Sequence, residues 1–144
     1  LLTQQDIPAF ISKCREWESV PWRHQGRTRS GVDCVGLFSC VANELGFPQV
    51  IPTNYHRDPD GKLLLAELRS RFMEIKVKDR EAGDLVVMRF ENLQGVPTNR
   101  HLALLTDCGI LHSAAMYKKV CEHTFDDEWL NRTEHCFRLW EAPA

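Results

Sequence analysis

An α+β fold is predicted, with helices first and antiparallel strands second, and three observations carry that prediction. Apolar residues recur at three- and four-residue intervals through the first half of the chain. From Met73 onward they alternate or run together over strand-length stretches, and two short apolar runs flank Asp107-Cys108-Gly109 as a hairpin would. Segregating the two periods in this way argues against the alternating units of a doubly wound parallel sheet. With 144 residues, 43% hydrophobic and 26% charged, the chain has the size and apolar mass of one globular domain, and residues 1–144 are expected to form a single unit.

Asp6 to Glu18 reads as a helix: Ile7, Phe10, Ile11, Cys14 and Trp17 share a face, Thr3 or Asp6 is available as cap, and Pro8 fits the first turn. Val20 to Arg29 is polar and basic, is interrupted by Pro21 and Gly26, and reads as a loop. That loop leads into Ser30-Gly31-Val32-Asp33-Cys34-Val35-Gly36-Leu37, a turn opening a second helix whose apolar residues are Val35, Phe38, Val41, Ala42 and Leu45, with Gly46 as its stop. Phe47 to Gly61 holds three prolines and is expected to be an irregular connection. Leu63 to Phe72 is a third amphipathic helix. Met73 to Val77 then alternates as a strand, and Gly83-Asp84 turns the chain into the apolar run Leu85 to Phe90. Glu91 to Arg100 reads as a polar loop, His101 to Thr106 and Ile110 to Ala114 as a hairpin, and Val120 to His123 as a further strand. A helical turn from Asp126 to Arg132 and an alternating strand from Glu134 to Trp140 complete the chain.

Composition narrows the function. A formal net charge of -2 without a long basic run gives no electrostatic basis for binding nucleic acid or anionic membrane. No apolar run is long enough to span a bilayer, and the opening Leu1-Leu2-Thr3-Gln4-Gln5-Asp6 lacks signal-peptide character, so no membrane insertion is expected. The six cysteines, at 14, 34, 40, 108, 121 and 136, show no disulfide framework and are expected to be reduced. Cys108, His112, Cys121 and His123 lie close in sequence, but their spacing fits no zinc knuckle.

Cys34 carries the sharpest chemical signal. A cysteine at a helix N-terminus meets unpaired N–H groups and the positive end of the dipole, which favour thiolate; the alternative is a buried cysteine packing as a small hydrophobe. In the hairpin, a two-residue turn puts His101 and His112 on one face, close enough for one ring to orient the other, whereas a three-residue turn puts them on opposite faces. Two histidines so paired supply the base and orienter of a nucleophilic triad, half of a metal site, or two polar residues at a sheet edge. His24, in a polar loop, reads as an exposed residue before it reads as a base.

Gly31-Val32-Asp33-Cys34-Val35-Gly36-Leu37, Gly83-Asp84-Leu85-Val86, His101-Leu102-Ala103-Leu104 and Ile110-Leu111-His112-Ser113-Ala114 follow one another in an order and spacing that resembles the NlpC/P60 family of papain-like cysteine peptidases. Pro21-Trp22-Arg23-His24-Gln25-Gly26 resembles the family's segment upstream of the nucleophile, and the resemblance runs from Trp17 to about Ala115. It implies a papain-like α+β fold with the nucleophile helix packed on an antiparallel sheet. It implies hydrolysis of peptidoglycan stem peptides, between the γ-carboxyl of D-glutamate and diaminopimelate. Cys34 matches the nucleophile, His101 the base and His112 the orienting residue, together a Cys-His-His triad whose reactive form is a thiolate–imidazolium pair. Asp33 matches an acidic residue that helps bind the amino end of the stem peptide. Trp22 stands where many relatives have a tyrosine assigned to the oxyanion, a departure that leaves Trp22 as oxyanion donor or pocket wall. The chemistry needs no metal or organic cofactor.

Compact size and Tyr55-His56-Arg57-Asp58-Pro59-Asp60-Gly61 resemble the phage and prophage branch, which implies a tail-associated wall peptidase, tail-tip proteins as partners, and a place in the virion tail. Two other readings stand beside it: a structural tail-tip protein that keeps the fold without activity, and an acyltransferase using the same thiol with an apolar acyl channel.

Overall fold

The first helical period becomes α1 (Ile7–Arg15), entered through a 3-10 turn, Gln4–Asp6, and shorter than its apolar spacing suggests because the chain leaves it after Arg15 through a turn that ends at Ser19 with φ of 72°. Asp6 closes that turn by accepting hydrogen bonds from the backbone N–H and the hydroxyl of Thr3, both at 2.8 Å. The computed structural model describes residues 2–47, 61–91, 95 and 97–141. The predicted irregular connection therefore lies, from residue 48 to 60, outside the described residues, as does most of the stretch 55–61.

The polar loop before the cysteine is more ordered than its composition suggests, since Arg27–Thr28 (β1) pairs with Gly31–Val32 (β2) as a small hairpin. Helices α2 (Cys34–Glu44) and α3 (Lys62–Arg71) follow at the predicted places, and α2 ends at Gly46 with φ of 80°. The remaining chain supplies β3 (Met73–Ile75), β4 (Leu85–Glu91), β5 (Pro97–Leu105), β6 (Ile110–Ala114), β7 (Lys119–His123), the short helix α4 (Asp127–Arg132) and β8 (Thr133–Arg138). These six strands form one sheet in the order β3-β8-β4-β5-β6-β7, antiparallel at every step.

The pleat sorts the strand residues into two cores. Leu85, Val87, Leu102, Leu104, Leu111, Val120 and Phe137 meet the apolar faces of α1, α2 and α3. Val86, Met88, Ala103, Leu105, Ile110 and Cys136 face the other way, toward Trp129 of α4. Because both faces of β4 are covered, its residues from Leu85 to Met88 read as a continuous apolar run rather than an alternation.

One sequence expectation is corrected here. The polar stretch assigned to a loop between residues 91 and 100 is partly strand, with Glu91 paired to Pro97, Phe90 to Thr98 and Arg89 to Asn99, and a register shift just before them. The pairing rests on backbone hydrogen bonds and on Thr98, whose hydroxyl donates to the Phe90 carbonyl at 3.1 Å, so no hydrophobic alternation advertises it.

The Gly83-Asp84 turn that starts β4 is fixed from both sides. Gly83 has φ of 98°, and a Cβ there would lie 2.3 Å from Ile7 Cγ2, so a side chain is excluded by conformation and by space. Asp84, fully buried, accepts from Arg138 Nε and Nη2, each at 3.1 Å, and from the Glu81 backbone N–H at 2.8 Å. Arg138 belongs to β8, so this buried ion pair staples the turn to the strand lying beside β4.

Candidate active site

The turn carrying Cys34 is built by backbone capping. Asp33 is the N-cap of α2: one carboxylate oxygen accepts from the Gly36 N–H at 2.7 Å and the other from the Gln25 N–H at 3.0 Å. The acid preceding the cysteine thus has a structural task, and with both oxygens so engaged its side chain is only 4% exposed. A Cβ on Gly36 would sit 2.1 Å from the Gly26 carbonyl oxygen, which is why the first turn of this helix requires glycine where the upstream loop crosses it. Behind the turn, Ser113 of β6 donates to the Val32 carbonyl at 2.6 Å, and Pro21 and Arg23 bond to Val32 from the other side at 3.0 and 3.1 Å. Strand β6 therefore grips the chain two residues before the thiol. The Cys34 sulfur meets the Leu102 N–H, in the peptide that follows His101, together with the N–H groups of Val35 and of Cys34 itself.

The hairpin has the two-residue turn. Leu105 pairs with Ile110, and the Thr106 N–H donates to the Gly109 carbonyl at 2.9 Å around Asp107-Cys108. His101 and His112 accordingly share a face, with His101 Nε2 2.6 Å from His112 Nδ1. The row does not stop there. His112 Nε2 lies 2.7 Å from His123 Nε2, and His123 Nδ1 lies 3.1 Å from the Thr124 carbonyl oxygen. A carbonyl only accepts, so His123 carries its proton on Nδ1 and accepts at Nε2; His112 must then donate from Nε2 and accept at Nδ1; His101 donates from Nε2. In this all-neutral row the His101 Nδ1 lone pair is left unprotonated, the state a base requires. Phe90 meets the His101 ring edge to face at 5.3 Å between centroids and Trp129 meets His112 at 5.2 Å, which keeps the rings upright.

Burial, and then the charge His123 can carry, hold His101 down to about 4; burial and its two histidine neighbours hold His112 down to about 2. Burial and the adjacent Asp33 carboxylate push the Cys34 thiol up to about 12, with the three N–H groups pulling the other way. Both shifts favour the uncharged forms, a thiol and neutral imidazoles, because desolvation opposes the helix terminus here. A stability consequence follows. The folded pKa values of His101 and His112 lie below the unfolded value near 6.5, so the unfolded chain takes up protons first as pH falls. The contribution of the two histidines is expected to be constant above about pH 7 and to fall from about pH 6.5 toward pH 4 by roughly 1 kcal/mol per pH unit for each histidine. Urea titrations across that window check it, and a His112→Gln protein is expected to show a shallower slope.

Of the other residues singled out in the sequence, Trp22 is half-buried and bridges Val32, so it runs beside the strand that ends at the Asp33-Cys34 turn; its backbone N–H donates to the Lys118 carbonyl at 2.9 Å. His24 is exposed and stands outside the histidine row. Sequence reasoning weighed His123 only as one of four possible zinc ligands, not as a member of the histidine row, and gave Ser113 no role. The signal for His123 was present: a short link joins β6 to β7, which fixes His112 opposite Cys121 and Ile110 opposite His123 and puts Cys121, His123 and His112 on one face. His112, Cys121 and His123 offer ligand atoms all within 4.8 Å of one another, a cluster that spacing along the chain does not reveal because it forms across paired strands. Cys108 falls elsewhere, beside Asp107 and Glu122, where Arg15 pairs with both acids.

No family model matches the sequence, and no curated protein matches it either. Solved structures do. The NlpC/p60 domain of the peptidoglycan hydrolase SagA superimposes with a TM-score of 0.64 at 18% identity, over 90% of this chain and 96% of that one. The fold is that of NlpC/P60 domains. An NlpC/P60 family protein from Bacillus cereus gives a TM-score of 0.68 at 18% identity over 94% of this chain, which spans 40% of that longer protein. RipD from Mycobacterium tuberculosis, a non-catalytic NlpC/p60 domain protein adapted to peptidoglycan binding, gives 0.59 at 16% identity over 94% of this chain and 98% of its own. The predicted α+β architecture, with the nucleophile helix against an antiparallel sheet, is thus the NlpC/P60 fold.

Proposed function

We propose that this protein is a cysteine peptidase that hydrolyses amide bonds in the stem peptides of bacterial peptidoglycan, with γ-D-glutamyl-diaminopimelate as the bond cut. The observation that carries the reading is the histidine row: its hydrogen bonds leave one unprotonated nitrogen on His101, the residue preceding Leu102, whose N–H meets the sulfur of the cysteine at the α2 N-terminus. His101 Nδ1 takes the Cys34 proton as the sulfur attacks the amide carbonyl, and N–H groups at the start of α2 receive the oxyanion. Collapse breaks the C–N bond, and the imidazolium gives its proton to the leaving amine. Water, deprotonated by the same nitrogen, then attacks the thioester and the acid leaves as Cys34 regains its proton. His112 positions His101, Trp22 walls the cleft, and the contact with the amino end of the peptide that the resemblance assigns to Asp33 is made through the turn its buried carboxylate caps.

The fold alone does not guarantee activity, as RipD, a non-catalytic protein, illustrates. Cys34, His101 and His112 together support the enzyme over a structural protein of the same fold. Acyl transfer is less well supported: the apolar pocket lined by Leu2, Phe10, Phe38, Phe72 and Leu102 includes neither Cys34 nor His101 in its wall. The setting assigned here is a phage tail tip, in contact with other tail-tip proteins and acting at the host wall; its support is the sequence resemblance. Among the described residues no helix is long and apolar enough to cross a membrane. Incubating the chain with purified peptidoglycan and mass-analysing the released peptides tests the function: new amino and carboxyl ends at one stem-peptide bond are expected, and intact peptidoglycan would leave the structural reading.

A further inference from the structure

The His112, Cys121 and His123 cluster has a geometry that the hydrolytic reading does not use. We infer that these three side chains form a site for a borderline-soft divalent cation, zinc being the case argued, and that filling it switches the histidine row into the state in which His101 is no longer a base. The second half of this inference rests on the proposed hydrolase; the first half does not.

Two imidazole Nε2 atoms converge at 2.7 Å with one proton between them, and a thiol offers its sulfur within 4.8 Å. Each ring is oriented through its other nitrogen, His123 by the Thr124 carbonyl and His112 by His101, which is the outer support that metal-binding histidines use. Zinc bonds of about 2.0–2.1 Å to nitrogen and about 2.3 Å to sulfur need the two nitrogens roughly 3.3 Å apart, so the rings have to part by about half an ångström. Cys121 and His123 are both half-buried on β7, an edge strand of the sheet, so the cation reaches them from solvent without opening the core. An N₂S donor set suits zinc and its soft neighbours and is a poor one for magnesium or calcium. A fourth position remains for water.

The proton count sets the consequence. Without metal, His123 is protonated on Nδ1, His112 and His101 on Nε2, and Cys121 on sulfur. Zinc takes His112 Nε2, His123 Nε2 and the Cys121 sulfur; the thiol proton leaves to solvent, and the His112 ring proton has to appear on Nδ1. That nitrogen now donates to His101 Nε2, so the His101 proton moves to Nδ1. One proton is released, no electrons move, and the lone pair that would accept the Cys34 proton is gone. Zinc is therefore an inhibitor of this site.

The test uses the full chain. Zinc is titrated against a chromophoric chelator, cobalt(II) is added separately to look for the thiolate-to-metal band in the near ultraviolet, and nitrogen-15 shifts of the histidine rings are read with and without one equivalent of zinc. One equivalent is expected to bind, with the cobalt band present, with Cys121→Ser weakening binding by at least roughly tenfold and Cys34→Ala leaving it unchanged. His101 is expected to carry its proton on Nε2 without metal and on Nδ1 with it. Turnover of peptidoglycan, where it is seen, is expected to be lost at the zinc concentration that fills the site and to persist in Cys121→Ser. Binding that disappears in Cys34→Ala instead of Cys121→Ser, or a His101 tautomer that zinc does not change, would overturn the inference while leaving the hydrolase reading intact. Zinc binding with the expected spectra but no cleavage would overturn the hydrolase reading alone.

Discussion

Cys34→Ala is expected to lower peptidoglycan hydrolysis by at least about 10⁴-fold while leaving the protein folded, because the proposed mechanism runs through a covalent step on its sulfur. The substitution deletes one sulfur from a position already capped by Asp33 and gripped through Val32, so the turn keeps its shape and the cost in stability is about 1 kcal/mol. Peptide release by mass analysis and thermal unfolding on the same preparation separate the two effects. Residual cleavage above about one-hundredth of the parent rate, with an unchanged melting curve, would assign the reaction to some other group.

Asp84→Ala is expected to give the largest loss of stability, about 3–5 kcal/mol, which for a chain of this size lowers the melting temperature by roughly 10 °C. The carboxylate is fully buried, and its removal leaves the Arg138 guanidinium, 14% exposed, with the exposed Glu81 carboxylate and the Asp79 carbonyl, both at 3.2 Å, in place of a buried counter-charge; the Glu81 N–H loses its acceptor as well. The cause can be separated from loss of volume. If the unpaired charge is what costs, Asp84→Ala combined with Arg138→Met is expected to recover most of the loss, since an apolar pair leaves nothing unsatisfied. A double variant no more stable than the single one would place the effect in packing.

The long periodic segments were legible in the residues because burial imposes one repeat over several turns: Ile7, Phe10, Ile11 and Cys14 on α1, and Val35, Phe38, Val41 and Ala42 on α2, are all buried as their spacing indicated. His101 and His112 were legible as a pair only up to the turn, and the pairing of Leu105 with Ile110 decided between two registers that the sequence left open. What stayed hidden depends on contacts between distant strands. The β5 extension through Thr98 and Asn99 is polar and held by backbone bonds, and the row from His112 to His123 exists because β7 returns beside β6. The burial of Cys34 was hidden for a related reason: the helix start that favours thiolate is read along the chain, whereas the burial that opposes it comes from tertiary packing.

The last strand of the chain lies inside the sheet, not at its edge. β8 pairs with β3 on one side and with β4 on the other, joining partners that precede it by some fifty to sixty residues. During synthesis, therefore, β4 presents an unpaired edge and Asp84 an unanswered charge until Arg138 has left the ribosome. Such late, long-range closure makes for slow folding and a vulnerable nascent chain. A premature stop between His123 and Thr133 removes an inner strand of the sheet instead of trimming an edge, so truncated products are substrates for chaperones and proteases even though Cys34, His101, His112 and His123 have all been made.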